Sequence, residues 1–190
     1  MSTIDEAGPT PEFRDRVHAA AREELTRWGI DRFSIMALAH RNGLPVVDIR
    51  QFWADEAALI IDVLLDGTGR QAVAPDTGSL RDDLYAVAAD MAAYVSSDRG
   101  HKIQGSHLIG EHFADGIEIR RTLWRMRSQR LSVVFERAHE RGELRAGVDA
   151  ATTLEMLLAP INMRALFTGE AIDESYCRQL ADLVWQAIRS

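Results

Sequence analysis

The chain has 190 residues, 46% hydrophobic and 27% charged, with one cysteine and a formal net charge of −7 at pH 7. That is enough apolar material for one domain or two small ones, and the acidic balance excludes a protein that holds nucleic acid by bulk electrostatic attraction. A lone cysteine excludes an internal disulfide framework, and no apolar run approaches the ~20 residues of a membrane span, so the expected compartment is a reducing cytoplasm.

Alanine, leucine, arginine and glutamate dominate, and no strand-like alternation persists, which predicts an all-α protein of about nine helices. Met1 to Thr10 is polar, lacks a basic-then-apolar leader pattern, and reads as a loose arm. Thr10-Pro11-Glu12 is a helix start: a capping hydroxyl, a first-turn proline, then an acid near the positive helix end. Phe13, Val17, Ala20, Ala21, Leu25 and Trp28 repeat at helical spacing up to Gly29. Ser34 caps a second helix through Ile35, Leu38 and Ala39, which Asn42-Gly43 breaks. Leu44 follows as an apolar plug, and Pro45 opens a third helix whose Ile49, Phe52 and Trp53 face inward. Two short helices joined by a glycine turn form a helix-turn-helix, the unit that sets a helix into the DNA major groove.

Asp55-Glu56 begins a fourth helix with Leu59, Ile60, Val63 and Leu64 as its apolar stripe. Gln71 to Gly78 is the best candidate linker. Ser79 caps a helix running through Leu84, Met91 and Val95, and His101 to Phe113 forms a shorter helical piece. Asp115 to Arg141 is the longest pattern. Asp149 to Phe167 contains Pro160, which predicts a kink, and Glu174 to Ile188 is the last helix.

VHAAAREELTRWG, FSIMALAHRNGL and PVVDIRQFWADEAAL, in that order, together with ERAHERGELRAGVD and LLAPINMRALFTGEAID, resemble the TetR family of bacterial one-component transcriptional regulators. The resemblance covers most of the chain. It implies an N-terminal DNA-binding domain over 1–55 (with the arm 1–10) and a C-terminal effector-binding and dimerisation domain over 56–190. It also implies a homodimer paired through the last two helices, a near-palindromic double-stranded DNA operator, and a small, apolar effector that releases a repressor. Positioning contacts to phosphate fall to Ser34, Arg50, Gln51 and helix N-terminal amides, with Arg32 and Arg41 at the flanks. The recognition helix starts at Pro45, and its base readers are Val46, Val47, Asp48 and Gln51. Arg50 stands where the family usually has a tyrosine, Phe52 where a polar contact is common, and Trp53 where a core phenylalanine is usual. Asp48 and Glu56 depart further, because they put carboxylates near a polyanion where a hydroxyl and a lysine are customary. The first sixty residues hold seven arginines against ten acids, so non-specific attraction to DNA is weak, and Asp48 and Glu56 motivate the alternative, a dimeric small-molecule or protein-binding helical module with weakened DNA recognition.

An effector pocket needs apolar and aromatic walls with few polar groups. Met91, Tyr94, His107, Phe113, Trp124, Met156, Met163 and Phe167 are the candidate lining, with Arg127 one turn from Trp124 as an anion anchor. Arg120, Arg121, Arg125, Arg127 and Arg130 read as a solvated face paired with Glu118 and Glu136, or as an attractor for acidic effectors such as acyl-coenzyme A. Cys177 reads as a small inert residue at the dimer interface. His107 and Glu111 have a one-turn metal spacing but no matching second pair, so no metal and no cofactor are expected. No nucleophile elbow, phosphate loop or triad signature is present, and no enzymatic role is expected.

Overall fold

The computed structural model describes residues 8–69, 74–97, 100 and 117–190. Eight α-helices occur among the described residues: α1 Pro11–Trp28, α2 Ile35–Asn42, α3 Val46–Phe52, α4 Glu56–Gly69, α5 Leu80–Ser96, α6 Ile117–Glu140, α7 Ala150–Met163 and α8 Glu174–Ile188. The expected helical piece His101–Phe113 lies outside them. None of the described helices is long and apolar enough to cross a membrane.

Helix starts follow the capping chemistry. Thr10, Ser34, Ser79, Asp149 and Asp173 each accept from the backbone amide three residues on. Gly43 ends α2 at φ 59°, ψ 36°, a left-handed conformation that costs an L side chain about 1–2 kcal/mol. The Leu44 amide then returns to the Ala39 carbonyl at 3.0 Å, and Leu44 is buried as the plug. Pro45 takes the N-cap position rather than the first helical turn, so α3 begins at Val46. Pro160 stays within α7. Four residues later the helix widens into a π turn, Arg164–Thr168, closed by the Gly169 amide on the Arg164 carbonyl at 2.9 Å.

Two apolar cores occur among the described residues. The head core joins Val17, Ala21 and Leu25 of α1, Ile35 and Leu38 of α2, Ile49 of α3, Trp53, and Leu59, Ile60 and Val63 of α4. The fourth helix therefore packs with the head, although residue 56 opens the second domain in the sequence reading. The bundle core joins α5 to α8, with α5 lying along α8. Cys177 is buried here, 3.9 Å from the Ala88 carbonyl, so it belongs to the core of the single chain and does not face a partner. Burial pushes its thiol pKa up, with Asp173 adding to the effect, which suits an inert residue.

The first turns of α6 bridge the two cores. Ile119 packs on the head core, and the Arg120 guanidinium meets Asp31 at 3.3 Å, both side chains largely buried. At the far end of α6, Arg141 pairs with Glu143, whose other oxygen accepts the Leu80 amide at 2.6 Å and so anchors the start of α5.

Candidate nucleic-acid interface and effector region

The third helix has one fully buried side chain, with Val46 and Phe52 packed partly buried beside it. Ile49 is fully buried, while Val47, Asp48, Arg50 and Gln51 are exposed; Val47 is 79% exposed. Val46 is partly buried against the head core, which turns this expected base reader inward. Ser34 spends one lone pair on the Ala37 amide at 3.3 Å and keeps its hydroxyl proton for an outside acceptor. Arg41 is tied down: its Nη1 donates to both carboxylate oxygens of the buried Glu24, and its guanidinium lies 5.6 Å from the Trp28 ring centroid. Its charge is paired with Glu24, while the side chain stays 43% exposed.

Glu56 departs most from expectation. Its Oε1 accepts the Ile35 amide at 3.2 Å and lies 3.4 Å from Arg50 Nη2. The carboxylate thus serves as an extra cap for the exposed N-terminus of α2 and is neutralised by Arg50. Asp48 has no comparable partner among the described residues and remains the one bare carboxylate on the outer face of α3. It sits in the first turn, where the positive helix end favours it.

Behind α3, Trp53 is buried and its indole N–H donates to Asp62 Oδ2 at 2.9 Å. His18 of α1, also buried, puts Nε2 2.9 Å from Asp62 and Nδ1 3.4 Å from Asp66. Arg14 and Arg22 complete the cluster on the same two carboxylates, at 2.8 and 2.6 Å. Burial works to raise the pKa of Asp62, but hydrogen bonds from Trp53 and His18 and the charge of Arg14 outweigh it and hold the carboxyl low. The same contest at Asp66 is won by His18, Arg22 and Arg14. This network clamps α4 to α1 and to the exit of α3. No sequence motif announces it, because its bonded partners are separated by up to 48 residues.

The expected effector lining divides. Met91 is in the bundle core, and Tyr94 and Trp124 pack partly buried against it. Arg127 joins them, its Nη1 3.8 Å from Met91 Sδ and its guanidinium 5.9 Å from the Tyr94 ring centroid. Met156, Met163 and Phe167 do not join: they are 52%, 53% and 64% exposed, as is Leu183 at 59%. Side chains this open do not wall an enclosed pocket; they form an apolar outer face on α7, the π turn and α8. His107 and Phe113 lie outside the described residues. The expected solvated arginine face is interrupted at Arg120, drawn to Asp31, and at Arg127, drawn into the bundle, whereas the exposed Arg121 pairs with Glu118 at 2.5 Å as expected. A separate cleft of about 280 Å³ opens between head and bundle, lined by Ile30, Asp31, Phe33, Asp55, Glu56, Ala57, Ile60 and Ile119. It contains none of the expected effector residues.

A short helix seated by Ile49 with Val46 and Phe52 at its sides, presented by a left-handed glycine turn on a small head and carried by a larger helical bundle, is the build of a helix-turn-helix DNA-binding protein. Residues 74–184 match the family model described as Tetracyclin repressor-like, C-terminal domain. The chain is 29% identical over 174 residues to the uncharacterized HTH-type transcriptional regulator YdeS of Bacillus subtilis (strain 168), covering 90% of this chain and 85% of that one. It is 26% identical over 175 residues to the HTH-type transcriptional regulator AqdR of Rhodococcus erythropolis, covering 90% and 83%. Among solved structures, the TetR family transcription regulator SCO0332 superposes with a TM-score of 0.73 at 22% identity, over 92% of this chain and 97% of that one. The chain belongs to the TetR family of transcriptional regulators.

Proposed function

We propose that the protein is a homodimeric repressor that a small-molecule effector releases from its operator. The observation that carries this reading is the outward row on α3, where Val47, Asp48 and Gln51 are free of the head core while Ile49 holds the helix in place. Gln51 can pair with adenine, Asp48 can accept from cytosine, and Val47 can meet a thymine methyl. Arg50 and the Ser34 hydroxyl sit beside them for phosphate. The apolar face of Met156, Met163, Phe167 and Leu183 supports pairing through α7 and α8. Pairing there would present two α3 helices to successive major grooves of a near-palindromic site. The Met91, Tyr94, Trp124 and Arg127 group supports an effector seat in the bundle, and occupation that differs between DNA-competent and DNA-incompetent states would shift the population.

The test is a fluorescence anisotropy titration of the dimer against the DNA flanking its own gene, repeated over a salt series. Sequence-specific binding is expected, and Gln51→Ala should weaken it by about 1–3 kcal/mol, roughly fivefold to 150-fold. A folded dimer that prefers no sequence even at low salt overturns the reading. The bare carboxylate of Asp48 favours a second reading, a dimeric helical module with weakened DNA recognition. Asp48→Ser separates the two. A modest change in an existing preference fits the repressor, whereas binding that arises only in the variant fits the module. Glu56→Lys is a poor discriminator, because Glu56 caps α2 and neutralises Arg50.

A further inference from the structure

Among the described residues, the Arg127 guanidinium in the bundle has no ion-pair partner. Arg127 points at a thioether and a ring, Met91 Sδ at 3.8 Å and the Tyr94 centroid at 5.9 Å. Four other arginines of α6 and its exit are neutralised, Arg120 by Asp31, Arg121 by Glu118, Arg137 by Asp76 and Arg141 by Glu143, while Arg125 and Arg130 are exposed to water. No carboxylate of the described residues lies within ion-pair distance of Arg127, and Asp90 acts on it only at longer range. Burial lowers its proton affinity, opposed by Tyr94 and Asp90, yet a guanidinium stays charged at any physiological pH. An arginine serving only to pack would carry its head out to water along its apolar stem. This one instead sits with its head on soft, polarisable groups that offset only part of the cost of leaving water.

We propose that Arg127 anchors the anionic group of the effector, an organic anion whose apolar body lies against Met91, Tyr94 and Trp124. The inference rests on the bundle being the effector-binding half, and it narrows that effector from an apolar molecule to an apolar molecule bearing a carboxylate, sulfonate or comparable acid. The guanidinium fork suits two oxygens of one acid group, and an acid placed there would receive a charge-assisted pair in a setting of low dielectric. A neutral molecule of the same shape would leave the cation uncompensated, so charge would set specificity where shape alone would not.

The probes are anilinonaphthalene sulfonate and N-phenyl-naphthylamine, which share a ring system and differ by the sulfonate. Each is titrated by fluorescence into the full-length protein, wild type, Arg127→Met and Arg127→Gln. The wild type should prefer the sulfonate by roughly tenfold or more, the order of one charge-assisted hydrogen bond, and both variants should lose that preference while binding the neutral ring system within about twofold of wild type. Arg127→Gln keeps a polar side chain, so it serves if the methionine variant does not fold. Equal affinity of the wild type for the two probes, or a preference that survives in a folded variant, overturns the proposal. Operator release is read separately. A sulfonate preference that depends on Arg127 but leaves DNA binding untouched supports the anion site and removes the effector reading of the bundle. Release by the neutral probe with no such preference does the reverse.

Discussion

Glu56 stands where a phosphate-binding lysine is customary, and a one-dimensional reading counts it against DNA binding. In three dimensions its carboxylate is turned onto the Ile35 amide and Arg50. The repulsive charge is thereby converted into a cap for α2, and Asp48 alone remains as a bare acid on the reading face. Glu56→Lys is accordingly expected to lower stability by about 1–2 kcal/mol, the usual cost of an emptied cap, read as a drop in the denaturation midpoint. Trp53→Phe tests a second residue of this kind. It keeps the ring in the core but removes the hydrogen bond to Asp62, and should cost about 1–2 kcal/mol in the same measurement. Neither role was legible beforehand. Residue type announced Trp53 as apolar core, but which way its N–H points depends on α4, nine residues further on.

At the scale of elements, helix ends were the most legible feature, because caps are local. Ser34 and Gly43 bracket α2, and Ser79 and Asp149 start their helices by the same chemistry. What periodicity could not say was which apolar stripe meets the same chain and which meets a partner. Met156, Met163 and Phe167 have the right types for a pocket, yet the register of α7 and the widened π turn leave them on the outside. Long-range pairing was equally hidden, and the clamp between α1 and α4 is the main case. Its carboxylates Asp62 and Asp66 titrate below the ordinary 3.8 in the folded protein. A depressed folded value means the unfolded chain binds protons first as pH falls. The contribution is therefore complete above about pH 4–5 and drains away as acid takes the pH through and below the ordinary carboxylate range. A melting series from pH 7 to about 3 should show Asp62→Asn with a flatter acid limb than wild type. Equal slopes would mean that the clamp does not govern acid stability.

For the whole molecule, the open apolar face on α7, the π turn and α8 marks where association should occur. Leu183→Glu and Phe167→Glu place charge in the middle of that face without disturbing either core, since both side chains are exposed in the single chain. Light scattering should report a shift from dimer to monomer, with helix content retained. DNA binding should fall far more than one contact would explain, because one half-site then binds without the other. A variant that stays dimeric would move the interface elsewhere.

The bridge made by α6 has a mechanical corollary. A straight helix of 24 residues is about 36 Å long. Fixed to the head at Ile119 and Arg120 and packed on the bundle core further along, it would act as a lever whose tip sweeps about 0.6 Å for each degree of tilt. A swing of about 5° would carry each head about 3 Å, an appreciable fraction of the roughly 34–36 Å between half-sites. A few degrees of rocking at one end would then be enough to throw two reading helices out of step with the pitch of the double helix.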